Sequence, residues 1–161
     1  MTVADYNTCV DQYADGLFRF VVKNLKDSDA ARDVVQDTFE KLWLKVEQVD
    51  FQKSKSYLFT AGYHTMIDKI RKEKHSTVME DHHVALVQTE NKYNDLKKVL
   101  NKALETLTEI QRHVVLLRDY EGYSYEEIGE ITGLNESQVK VYIYRARLAM
   151  KNYLGSLENV L

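Results

Sequence analysis

The chain has 161 residues, 29% of them charged and 44% apolar, and a formal net charge of −3. That balance excludes a disordered chain, and no apolar run approaches the roughly 20 residues needed to span a bilayer. A lone cysteine, Cys9, excludes an internal disulfide, and Met1-Thr-Val-Ala-Asp5 lacks the basic and apolar regions of a secretory signal, so a cytoplasmic protein is expected.

Proline is absent and there are only six glycines, which suits helices joined by short polar turns. The first predicted helix runs from Tyr6 to about Val22, with Val10, Tyr13, Ala14, Leu17, Phe18 and Val21 at amphipathic spacing. Asn24 to Asp29 is a polar break, and Ser28 followed by Asp29 marks a helix start. The second helix, about Asp29 to Val46, buries Val34, Val35, Thr38, Phe39, Leu42 and Val46 and turns Arg32, Asp33, Gln36, Asp37, Glu40 and Lys41 outward. Glu47 to Ser56 reads as a loop. The third helix, from about Lys55, carries Tyr57, Leu58, Ala61, Met66, Ile67 and Ile70 and ends in a basic strip of Lys69, Arg71, Lys72 and Lys74.

From His75 to about Asn91 the periodicity fades, and the segment reads as a linker. Its Asp81-His82-His83 triplet has metal-ligand chemistry but no rigid elements to make ligands converge, so a metal-dependent hydrolase is a weak alternative. Periodicity returns at Leu96, Val99, Leu100, Ala103, Leu104 and Leu107, and Thr108 with Gln111 forms a capping box for a helix through Leu117. Two more such patterns follow, Ser124 with Glu127 and Asn135 with Gln138. Between them, Gly129 is the small residue at a helix crossing and Gly133 the turn residue that tolerates positive φ, while Ile128, Leu134, Val139 and Ile143 fix the angle. This is a helix-turn-helix, a device for laying one helix in the major groove of DNA.

The chemistry of the second helix of that motif fits the role. Glu136, Ser137, Gln138, Lys140 and Val141 lie near its start, where base edges are in reach. Gln suits adenine, Lys suits guanine and Val141 suits a thymine methyl. Tyr144 follows on the same helix, and Arg145, Arg147 and Lys151 suit phosphates that set register. From Leu134 to Leu154 these basic residues oppose only Glu136, although the whole chain is acidic, so DNA binding by the chain alone should be weak.

With the helices placed, the chain resembles bacterial RNA polymerase sigma factors over most of its length. The run Leu107-Thr-Glu-Ile-Gln-Arg-His-Val-Val-Leu-Leu-Arg-Asp-Tyr-Glu-Gly-Tyr-Ser-Tyr-Glu-Glu-Ile-Gly129, continued through Arg147, is similar to the family's promoter-binding domain. Asp33-Val-Val-Gln-Asp-Thr-Phe-Glu-Lys-Leu-Trp43 is similar to the helix that docks on the polymerase clamp, and Ser56 to Lys72 to the helix that opens the promoter. The small size resembles the extracytoplasmic-function group. An arginine-asparagine pair common in the family's third helix is Tyr63-His64 here.

The resemblance implies an all-α fold of two small helical domains joined by a flexible linker. A polymerase-binding and promoter-melting domain is expected over 1–75, the linker over 76–93, and the helix-turn-helix domain over 94–161. It implies that Gln36, Asp37, Glu40, Lys41 and Leu44 meet the clamp of the largest polymerase subunit, with the flap of the second largest as a further contact. It implies that the loop with Phe51, Gln52 and Lys53, together with Tyr57, Tyr63, His64, Lys69, Arg71 and Lys72, handles the downstream promoter element during melting. The upstream element falls to Glu136, Ser137, Gln138, Lys140, Val141, Tyr144, Arg145, Arg147 and Lys151. Promoter DNA and an anti-sigma factor are the other implied partners. Neither a cofactor, a metal nor a catalytic role is expected. The alternative is a stand-alone helix-turn-helix regulator.

Overall fold

The computed structural model describes residues 1–75 and 92–158, and every regular element among them is helical. The linker reading and the Asp81-His82-His83 triplet therefore fall on residues outside the described ones. Seven α-helices are present: α1 (Val3–Leu25), α2 (Ser28–Leu44), α3 (Ser54–His75), α4 (Lys92–Glu105), α5 (Glu109–Val115), α6 (Tyr125–Thr132) and α7 (Glu136–Glu158).

Side chains at the termini decide where these helices begin. The Thr2 hydroxyl accepts from Asp5 N–H while the Asp5 carboxylate accepts from Thr2 N–H, so α1 starts earlier than its apolar periodicity suggests. Asp27, not Ser28, caps α2, its Oδ1 accepting from the amides of Asp29 and Ala30. Within the stretch read as loop, Asp50 caps a single 3-10 turn at Phe51–Lys53, which runs directly into α3. The boxes expected at Thr108, Ser124 and Asn135 are all formed.

Helices α1, α2 and α3 pack on one another as a first half. In the second half, α4, α5 and α6 each pack against α7. The crossing of α1 and α3 is close at Gly62, where a Cβ would sit 2.7 Å from Leu17 Cδ1. Gly129 has the same role in the helix-turn-helix, with its absent Cβ only 2.8 Å from the Leu134 carbonyl oxygen. Gly133 adopts φ 80°, the left-handed turn that this position requires.

Two features were not legible from periodicity. After α5 the chain widens into a π-helical turn, Leu116–Tyr120, closed by Glu121 N–H donating to the Leu116 carbonyl at 3.0 Å. The two halves also touch, α3 against α6 and α1 against α5, and the buried apolar cluster runs without a break from Leu17 and Phe20 to Val114, Tyr123 and Ile128. That contact changes which face of α3 is covered. Phe59 and Tyr63 are buried, whereas Tyr57, Ala61, Ile67 and Ile70, expected to pack, are only half-buried.

Candidate nucleic-acid and polymerase interfaces

Three surfaces carry the residues singled out in the sequence. On α7, Val139, Ile143 and Ala146 are buried at helical spacing, which turns the opposite side of the helix to solvent. That side brings together all nine predicted residues: Glu136, Ser137, Gln138, Lys140, Val141, Tyr144, Arg145, Arg147 and Lys151 are exposed. Val141, Tyr144 and Leu148 form an apolar line along it, and Leu148 is one that the sequence reading missed. Tyr142 is half-buried against the core.

Several of these side chains already have partners. The Gln138 amide oxygen accepts from Asn135 N–H at 3.0 Å, and bidentate pairing with adenine would need that oxygen as well as the amide nitrogen. Lys140 pairs with Glu136 at 3.3 Å and lies over the Tyr125 ring. Arg147 grips Asp119 with two parallel bonds, Nε to Oδ2 at 2.9 Å and Nη2 to Oδ1 at 2.5 Å. The hydrogen bond to Asp119 holds the guanidinium pKa above its ordinary value. Asp119 sits on the π-helical turn, so that turn ties α7 to the body of the second half. Arg145 and Lys151 have no such tie among the described contacts, and they are the cations best placed for phosphates.

The second surface is α2. Burial of Ala30, Ala31, Val34, Thr38, Phe39 and Leu42 leaves Gln36, Asp37, Glu40, Lys41 and Leu44 exposed along one side. Lys41 donates to Thr65 Oγ1 of α3 at 2.8 Å. Leu44 is 76% exposed, with Trp43 beside it 45% exposed and edge-on to Tyr6 at 5.1 Å. Trp43 and Leu44 thus put two large apolar side chains in solvent at the end of α2. The signal for Trp43 was in the sequence: a large aromatic three residues after Glu40, off the buried stripe.

The third surface, α3 and the turn before it, is divided. Gln52, Lys53, His64, Arg71 and Lys72 are exposed, while Phe51, Tyr57 and Lys69 are half-buried, the last 3.8 Å from Asp33. Tyr63 stands apart from the others at 7% exposure. Its hydroxyl shares a 3.0 Å hydrogen bond with Nδ1 of His113, itself 2% exposed in the second half. Burial drives the His113 pKa down to about 4 and pushes the Tyr63 phenol up. Beside this pair lies an open cleft of about 700 Å³ lined by His64, Arg71, Lys74 and Glu109.

Cys9 is buried in the α1 core. Among the described residues no group of three or more His, Cys, Asp or Glu is placed to share a metal ion, and no described helix is long and apolar enough to cross a membrane.

These surfaces coincide with two matches to known families. Residues 9–76 match Sigma-70 region 2, and residues 97–150 match Sigma-70 region 4. The RNA polymerase sigma factor SigV of Bacillus subtilis is 33% identical over 147 residues, covering 89% of this chain and 87% of SigV. The ECF RNA polymerase sigma factor SigM of the same organism is 26% identical, covering 86% and 88%. Among solved structures, the sigma factor RpoE in complex with the anti-sigma factor NepR from Bartonella quintana superposes with a TM-score of 0.81 at 27% identity, over 95% of this chain and 98% of RpoE. Sigma-70 regions 2 and 4 in order along one chain, with sigma-factor relatives matched over most of their length, place this protein in the sigma-70 family of RNA polymerase sigma factors, in its extracytoplasmic-function group.

Proposed function

We propose that the three surfaces divide the work of promoter recognition. As a sigma factor the chain directs core RNA polymerase to promoters. The α2 face, with Gln36, Asp37, Glu40, Lys41 and Leu44, docks on the clamp of the largest subunit, and Trp43 extends that contact. An amphipathic helix that leaves a large apolar pair exposed at its end needs a partner surface to cover it. The second half meets the flap of the second largest subunit.

The exposed face of α7 enters the major groove at the upstream element. Val141 is the apolar reader near the helix start, Lys140 becomes a reader by exchanging Glu136 for a base, and Arg145 and Lys151 hold phosphates. Arg147 reaches a phosphate only by giving up Asp119, so its first role is to fix the pitch of the reading helix. Phe51, Gln52, Lys53, Tyr57, Tyr63 and His64 hold the melted downstream strand by stacking and hydrogen bonding, while Lys69, Arg71 and Lys72 draw in its backbone. The first domain covers 1–75, the second 94–161, with 76–93 tethering them.

The chain has no catalytic part in this scheme; the chemistry belongs to the polymerase. It works in the cytoplasm, and an anti-sigma factor covering the α2 and α7 faces keeps it silent, as NepR accompanies RpoE. The observation that carries the reading is that α2 and α7 each expose, on one chain, the face a sigma factor needs. The test is run-off transcription: core polymerase plus this chain should give transcripts from a defined promoter class, whereas a stand-alone regulator would give none.

A further inference from the structure

The start of α7 carries an ion pair that neither capping nor packing uses. Glu136 and Lys140 stand one turn apart, their charged ends 3.3 Å from each other and both side chains more than half exposed. Capping is done by other residues, since Asn135 and Gln138 exchange the two bonds of the box. The core contacts of this stretch belong to Val139 and Ile143. Lys140 is further steadied by the Tyr125 ring, 5.6 Å from its ammonium. A carboxylate on a face turned to DNA is repelled by phosphates, so Glu136 is costly there unless the groove offers it a donor.

The major groove has two such donors, N4 of cytosine and N6 of adenine. Each is hydrogen-bonded across its base pair to an acceptor, O6 of guanine or O4 of thymine. Donor and acceptor of one base pair are therefore roughly 3 Å apart. The Lys140 ammonium and the Glu136 carboxylate, 3.3 Å apart, match that spacing and can meet both edge groups of one base pair at once. Orientation then sorts the four possibilities. With guanine under Lys140 and cytosine under Glu136, the ammonium meets two acceptors, O6 and N7, and the carboxylate meets a donor. With thymine under Lys140 and adenine under Glu136, the two central contacts survive, but the thymine methyl crowds the ammonium and adenine N7 faces the carboxylate. Reversing either base pair sets a donor against the ammonium and an acceptor against the carboxylate, and both contacts become repulsive.

We propose that Glu136 and Lys140 act together as the reader of one G·C base pair in the upstream element, with guanine on the Lys140 side. Lys140 supplies the attraction, and Glu136 supplies most of the discrimination by rejecting the other three arrangements. Gln138 takes no part, because its amide oxygen stays with the Asn135 N–H.

The proposal rests on the sigma-factor reading, and the test separates the two. Core polymerase with the full chain binds a pool of promoter duplexes randomised over the upstream element, and the bound fraction is sequenced. The unaltered chain should enrich one position for G·C over C·G and A·T by at least tenfold, with T·A between them. Glu136→Ala should lower that preference several-fold while binding the unselected pool more tightly. Lys140→Ala should relax the same position and weaken binding. Exchanging the two residues (E136K with K140E) should turn the preference to C·G. Thermal unfolding checks that each variant is folded. Tighter binding by Glu136→Ala with unaltered base preference would make Glu136 a bystander charge and overturn the proposal. So would an exchanged variant that still selects G·C, or enrichment in which no G·C position is relaxed by both single variants. Absence of any enrichment by the unaltered chain with core overturns the sigma-factor reading instead.

Discussion

Asp119 and Arg147 join the π-helical turn to the middle of the reading helix by a two-pronged ion pair. Neither residue is near the start of α7, the part proposed to read bases, and the pair fastens the middle of that helix to the turn. Both side chains are substantially exposed, at 49% and 36%, so solvent screens the pair and its worth is modest. Arg147→Ala and Asp119→Ala should each cost about 0.5–1 kcal/mol, and the double variant little more than either alone. Urea denaturation of the four proteins measures this. In DNA binding, Arg145→Ala and Lys151→Ala should each lower the salt slope by about one ion, and Arg147→Ala by clearly less. An equal drop for Arg147→Ala would assign it to phosphate.

His113 gives the fold a pH dependence. Its ring meets Tyr63 of α3 and Phe20 of α1, with Arg112 and Glu109 on its own helix and His64, Arg71 and Lys74 around the adjoining cleft. The folded pKa is about 4 against an ordinary 6.5. Above pH 6.5 both states are neutral and stability is complete. As pH falls from 6.5 toward 4 the unfolded chain takes up a proton that the folded chain refuses, so stability falls, by roughly 3 kcal/mol at most. Urea midpoints should therefore drop between pH 7 and pH 5, and His113→Gln should flatten that slope. A slope unaltered by His113→Gln would place the titrating group elsewhere.

Gly129→Ala tests the helix-turn-helix crossing. The new Cβ would meet a backbone oxygen at 2.8 Å, which cannot swing aside as a side chain can. Overpacking should outweigh the gain in helix propensity, for a net loss of about 1–2 kcal/mol. Thermal unfolding reads the stability, and upstream-element binding should weaken in parallel. Gly122→Ala is a useful contrast, since φ 76° strains the backbone there but nothing lies within 4 Å of the added methyl.

Leu44→Ala should separate docking from folding. At 76% exposure the side chain contributes little to the core, so stability should stay within about 0.5 kcal/mol. Affinity for core polymerase, measured by competition with a labelled sigma factor, should fall at least about fivefold if Leu44 anchors the contact. Trp43→Ala should weaken docking further but also loosen the Tyr6 edge. Undiminished affinity in both variants would move the docking face off the end of α2.

Local rules were enough to read much of this molecule. The boxes at Thr108, Ser124 and Asn135, the close approach at Gly129 and the left-handed turn at Gly133 are each written within a few residues, and each is present. The nine outward residues of α7 follow from the buried spacing of Val139, Ile143 and Ala146. Periodicity failed where a helix is covered on more than one side. Tyr63 looks like a nucleic-acid-facing aromatic on α3 until the second half packs on it. The π-helical turn was illegible for another reason: one added residue in a helical turn leaves no mark in composition. The positioning roles of Asp119 and Glu121 depend on it and were missed with it.

The unbroken core also decides which apolar side chains the protein offers to its neighbours. Were the two halves apart, Phe20, Phe59 and Tyr123 would face water as a sticky surface. With the halves together the three rings are covered within the molecule. Light scattering of the free protein should therefore show a single monomeric species at working concentration, and self-association would mean that the contact leaves these rings uncovered.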